Sequence, residues 1–69
     1  MIHRTSRRIT GVVENVRPST VGAPAVVVID GRSYIAMERW ESVARRWVGR
    51  EVTALVAGMF VDEIELTVY

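Results

Sequence analysis

Cysteine and lysine are both absent from this 69-residue chain, and histidine occurs once, at His3. Without cysteine there is no disulfide and no thiolate to hold a zinc or iron–sulfur centre, and one histidine does not complete a zinc site. Two common covalent nucleophiles are missing as well. No serine or threonine lies in a structured segment with a histidine to serve as its base. The expectation is therefore a non-enzymatic protein with no cofactor, no resident metal and no small-molecule substrate. Long apolar runs are also missing. The longest, Ala23 to Ile29, is interrupted by Pro24 and is far too short to cross a bilayer, and no signal-peptide pattern is present. A soluble, cytoplasmic protein without membrane contact is expected, or a virion component if its role is structural.

What the chain does have is apolar residues, at 49%, a fraction that argues against disorder and for one small domain. At this length a single core is marginal. All nine basic residues are arginine and all lie in residues 1–50, where they face four acids for a net +5. The remaining residues carry four acids and no base, so the whole chain is only +1. That asymmetry fits an anion-binding face, a dipolar subunit that pairs end to end, or strands that cancel one another's charge across a barrel.

Residues 1–8, MIHRTSRR, are polar, basic and aperiodic, and read as an N-terminal arm; residues 9–69 form the domain. Arg8 to Arg17 is a β-branched strand whose alternation breaks, with Ile9 and Val13 on one face and Val12 and Val16 on the other. Gly11 is the expected site of a bulge that switches faces. Arg17 to Pro24 is a loop. Ala25 to Asp30 is apolar on both faces, as in an inner strand. Asp30-Gly31 is a tight-turn signal requiring positive φ, and a two-residue loop pairs Ile29 with Arg32, Val28 with Ser33 and Val27 with Tyr34. Ser33 to Met37 is the return strand.

From Glu38 the period changes. Trp40, Val43, Ala44, Trp47 and Val48 fall on one helical face, and Gly49 suits a helix C-terminus. Ala36 and Met37 offer no capping oxygen. Glu41 and Arg45 stand in the favourable i, i+4 order, while Arg39 and Arg46 share the opposite flank. Arg50 to Ala57 is a strand with Val52, Ala54 and Val56 on one face. Gly58-Met59 is a turn, with Phe60 and Val61 beside it. Ile64, Leu66 and Val68 then alternate with Glu63, Glu65 and Thr67 in a last strand.

Three strands, a short helix and two strands give a mostly β fold: a five-stranded small barrel, OB-like or SH3-like, with the helix between the third and fourth strands. The phrases Asp30-Gly31-Arg32-Ser33-Tyr34 and Val48-Gly49-Arg50-Glu51-Val52-Thr53 resemble the C-terminal β-barrel of Mu-type transposases. The chain departs from that pattern by a longer helical connection, and it carries no catalytic domain with an acidic triad. The resemblance implies a barrel that touches DNA or another subunit and implies no transposase activity.

Nucleic-acid or acidic-protein contact requires cations on one surface and, for bases, exposed rings. The candidates are Arg4, Arg7 and Arg8 on the arm, Arg17 at the first loop, Arg32 at the hairpin tip, and Arg39 and Arg46 on the helix flank. Tyr34 and Phe60 are the candidate stacking rings, with core packing as the alternative for both. Trp40 and Trp47 belong on the buried helix face. Asp62, Glu63 and Glu65 read as solvated charge rather than as a cation site. The other expectation is a homo-oligomeric structural or adaptor subunit, of the phage or capsid accessory kind, that joins its neighbours through the arm and an open-edged terminal strand.

Overall fold

The computed structural model describes residues 6–68. Five strands, β1 (Arg7–Arg17), β2 (Ala25–Ile29), β3 (Arg32–Ala36), β4 (Glu51–Ala57) and β5 (Phe60–Leu66), surround one core, with helix α1 (Glu38–Arg46) between β3 and β4. The strands close in the order β1-β2-β3-β5-β4, and β4 returns to β1. Every pairing is antiparallel except β3 with β5, where Ile35 and Ala36 lie opposite Phe60 and Val61. This ring, with the helix between β3 and β4, is the five-stranded small barrel expected from the order of elements.

The β2–β3 turn follows from Asp30-Gly31. Both residues adopt positive φ, 47° and 78°, and the register pairs Ile29 with Arg32, Val28 with Ser33 and Val27 with Tyr34 as the two-residue loop requires. Inward-facing residues of each strand supply the core: Val13, Ala25, Val27, Ile29, Tyr34, Ala36, Val52, Ala54, Val56, Val61 and Ile64, joined by Ala44 from the helix; Val61 and Ile64 lie on either side of an irregularity in the β4–β5 register.

β1 differs from expectation in two ways. It starts at Arg7, with Arg7 opposite Val56 and Arg8 opposite Leu55, so the last two residues assigned to the arm belong to the barrel. Its register breaks between Val13 and Asn15, at Glu14, and not at Gly11. The extra residue restores Val16 to the inner face beside Ile9 and Val13, while Val12 stays outside. Before the break β1 pairs with β4, and after it with β2, so the irregularity is the corner of the barrel.

Helix α1 closes one end of the ring. Met37 is an extended N-cap without a side-chain bond, as its apolar character requires, and Gly49 takes a positive φ of 87° in the exit turn. Trp40, Val43 and Trp47 pack half-buried on the core around Ala44, but Val48 lies past the helix end and is exposed. The exit turn is sewn to β1 at Val13, whose amide donates to the Arg50 carbonyl (3.1 Å) and whose carbonyl accepts from Gly49 (2.7 Å). β5 is enclosed, with β4 along its length and β3 at its start, and it ends at Leu66; Val68 is 91% exposed. The parallel closure with β3 covers the other side of β5 at Phe60 and Val61. No helix among the described residues is long and apolar enough to cross a membrane.

Candidate binding surfaces

Residues directly opposite across a ladder project to the same face. Arg17 is opposite Val26, Val26 opposite Ile35, and Ile35 opposite Phe60. The register therefore draws one row across the outside of β1, β2, β3 and β5, about 14 Å long at three strand spacings of about 4.8 Å. It has a guanidinium at one end, half-buried Val26 and Ile35 in the middle, and Phe60, 47% exposed, at the other end. A second row, Asn15–Val28–Ser33, lies alongside. Met37 and Met59, 60% and 62% exposed, extend the apolar area.

A groove of about 310 Å³ opens at the Phe60 end, lined by Pro24, Ile35, Ala36, Met37, Phe60, Val61 and Asp62. The loop between β1 and β2 borders it through Pro24. The Gly58-Met59 turn presents Phe60, and it is fixed by the Ile35 amide donating to the Met59 carbonyl at 2.6 Å. Asp62 accepts from the Ser6 hydroxyl at 3.3 Å.

The β1–β2 loop is tied to the helix by one carboxylate. The amide and hydroxyl of Ser19 both donate to Glu41 Oε1 at 3.0 Å, and Arg45 meets Oε2 at 2.7 Å. The backbone and side-chain bonds from Ser19, followed by the Arg45 charge, hold the Glu41 carboxyl below the usual glutamate range, against the opposing effect of desolvation. The i, i+4 pair with Arg45 was legible in the sequence. The Ser19 contact was not.

The nine residues singled out from sequence do not converge on one site. Arg4 lies outside the described residues. Arg17 and Phe60 share the outer row. Arg7 and Arg32 line one cavity of about 210 Å³ beside the β2–β3 turn, with Ile9, Thr10, Ile29, Asp30 and Tyr34. Arg8 stands on the β1–β4–β5 side, in a row with Leu55 and Glu63. Arg39 lies over the Trp40 ring at 5.1 Å, and Arg46 is exposed at the end of α1. Of the two readings given for Tyr34, stacking ring and core residue, the second holds: it faces inward on β3 and is 5% exposed, so no base can lie on it. Sequence reasoning did not place Val26, Ile35 and Met37 at a surface site. The apolar outer positions of AVVVID were the available signal.

No family model, curated protein or solved structure matches this chain. The phrases Asp30-Gly31-Arg32-Ser33-Tyr34 and Val48-Gly49-Arg50-Glu51-Val52-Thr53 sit at the hairpin tip and the helix exit, where Asp30, Gly31 and Gly49 supply the positive φ the turns need. Among the described residues no three metal-ligating side chains gather.

Proposed function

We propose that this protein is a non-enzymatic binding module that holds single-stranded nucleic acid across the outer face of β1, β2, β3 and β5. The row Arg17–Val26–Ile35–Phe60 carries the reading. Bases stack on aromatic and flat apolar surfaces whatever their identity, and a guanidinium at the end of the row suits the backbone phosphate. OB-type barrels take ligands on this face, between the loop after the first strand and the loop before the fifth. Both loops flank the row, and Ser19 and Glu41 hold the first in position. With one arginine in the row and a chain charge of +1, binding is modest and salt-sensitive.

Fluorescence anisotropy with labelled single-stranded oligonucleotides at low ionic strength tests this. Phe60→Ala should weaken binding roughly 5- to 150-fold, the loss expected for one stacking ring. Arg17→Ala should lower the slope of log K against log salt by about 0.7. Absence of binding to DNA or RNA at low salt, or binding indifferent to both substitutions, would sink the proposal.

The aliphatic middle of the row favours a second reading, a structural subunit that self-associates through this face or meets an acidic protein there. Val26, Val28, Ile35, Met37 and Met59 offer more area to a packed protein surface than to bases. Sedimentation showing a strict monomer at high concentration would count against it.

A further inference from the structure

We propose that the cavity beside the β2–β3 turn is an oxyanion site for a single phosphate group, held between Arg7 and Arg32. Small barrels are filled by their own side chains, and α1 packs on β1, β2, β3 and β5. At the β2–β3 turn the Asp30 amide donates to the Val12 carbonyl and the Val12 amide donates back to Asp30 Oδ1, which folds the β2–β3 tip along β1. That fold brings Arg32, at the start of β3, to the same cavity as Arg7, at the start of β1, with Thr10 also in the lining. Ile9, Ile29 and the buried Tyr34 make the remaining walls.

Neither Arg7 nor Arg32 forms an ion pair or side-chain hydrogen bond among the described residues, whereas Arg45 is neutralised by Glu41 at 2.7 Å. Asp30 lines the cavity too, but its Oδ1 is engaged by the Val12 amide, and two arginines share the lining with that one acid. Two like charges at one cavity repel until an anion lies between them, and guanidinium forks match the oxygens of phosphate. At about 210 Å³ the space is smaller than the roughly 300 Å³ at which pockets begin to enclose a whole small molecule, so it suits one anionic head group. Inorganic phosphate and the terminal phosphate of a nucleotide or oligonucleotide share that chemistry. The site is separate from the outer row, and inorganic phosphate has no base to stack there.

The test is an NMR titration of the full chain, following backbone amides and arginine Nε–H signals. Inorganic phosphate should give saturable shifts at Arg7, Thr10, Asp30 and Arg32, and acetate should not. Arg7→Gln and Arg32→Gln should each weaken phosphate binding at least tenfold. Arg7→Lys and Arg32→Lys, which keep charge and lose the fork, should weaken it several-fold and serve if a glutamine variant does not fold. Oligonucleotides with and without a 5′-phosphate, and a nucleoside 5′-monophosphate, separate the sources: preference for the phosphorylated end identifies a nucleic-acid terminus, and equal response to inorganic phosphate alone identifies the free ion. Equal shifts with acetate, linear non-saturating shifts, or unchanged phosphate binding in the folded variants would overturn the site.

Discussion

The carboxylate of Asp30 accepts a hydrogen bond from the Val12 amide at 2.8 Å, and the Asp30 amide donates to the Val12 carbonyl at 3.1 Å. One hairpin-turn residue thus continues the β1–β2 ladder after the regular strand pairing has ended at Val13 and Ile29. Gly11 makes this approach possible. A Cβ there would stand 2.7 Å from Asp30 Cγ and Oδ2 and 2.9 Å from Ile29 Cγ2.

Gly11→Ala should therefore destabilise the fold by about 1–3 kcal/mol, the usual cost of overpacking. Asp30→Ala should cost about 1 kcal/mol through the lost bond, and Asp30→Asn less, because asparagine tolerates the positive φ of 47°. The two sites share atoms, so Gly11→Ala should cost less in the Asp30→Ala background. Urea unfolding of the four proteins checks the coupling; strict additivity would count against the contact.

Glu41 links stability to pH. Its carboxyl titrates below the usual glutamate value because Ser19 and Arg45 favour the ionised form. The stabilisation is then complete above the unfolded-state value and is lost as pH falls through the folded-state value. The stability advantage of the native protein over Glu41→Gln should be constant near neutrality and shrink on acidification through the glutamate range. Denaturant midpoints measured from pH 7 to pH 3 give the curve. An advantage that grows toward acid would contradict the assignment.

Ala44 is the one fully buried residue of α1, and it belongs to the core that the strands enclose. Ala44→Leu should push the helix off the ring and destabilise the fold by about 1–3 kcal/mol. Thermal unfolding by circular dichroism measures it. A neutral result would mean the helix rides more loosely than its packing implies.

The fold was legible because local signals agreed: Asp30-Gly31 set the hairpin register, and the change of period at Glu38 marked the helix. Position 14 was not legible. A bulge needs no special residue, and Gly11 drew attention for a reason that belongs to Asp30's packing. For the binding surfaces, residue type was legible and grouping was not. Arg17 and Phe60 are far apart in sequence, and only the parallel β3–β5 pairing places them in one row. Tyr34 had the right chemistry for stacking, but the inward parity of β3 buries it.

The outer row is the central claim, and an amide-detected NMR titration with a short single-stranded oligonucleotide at low ionic strength tests it most directly. The expected result is a set of salt-reversible shifts greatest at Arg17, Val26, Ile35, Met59 and Phe60, spreading to Pro24's neighbours in the β1–β2 loop. No shifts, or shifts confined to α1 and the β4 side of the barrel, would contradict it.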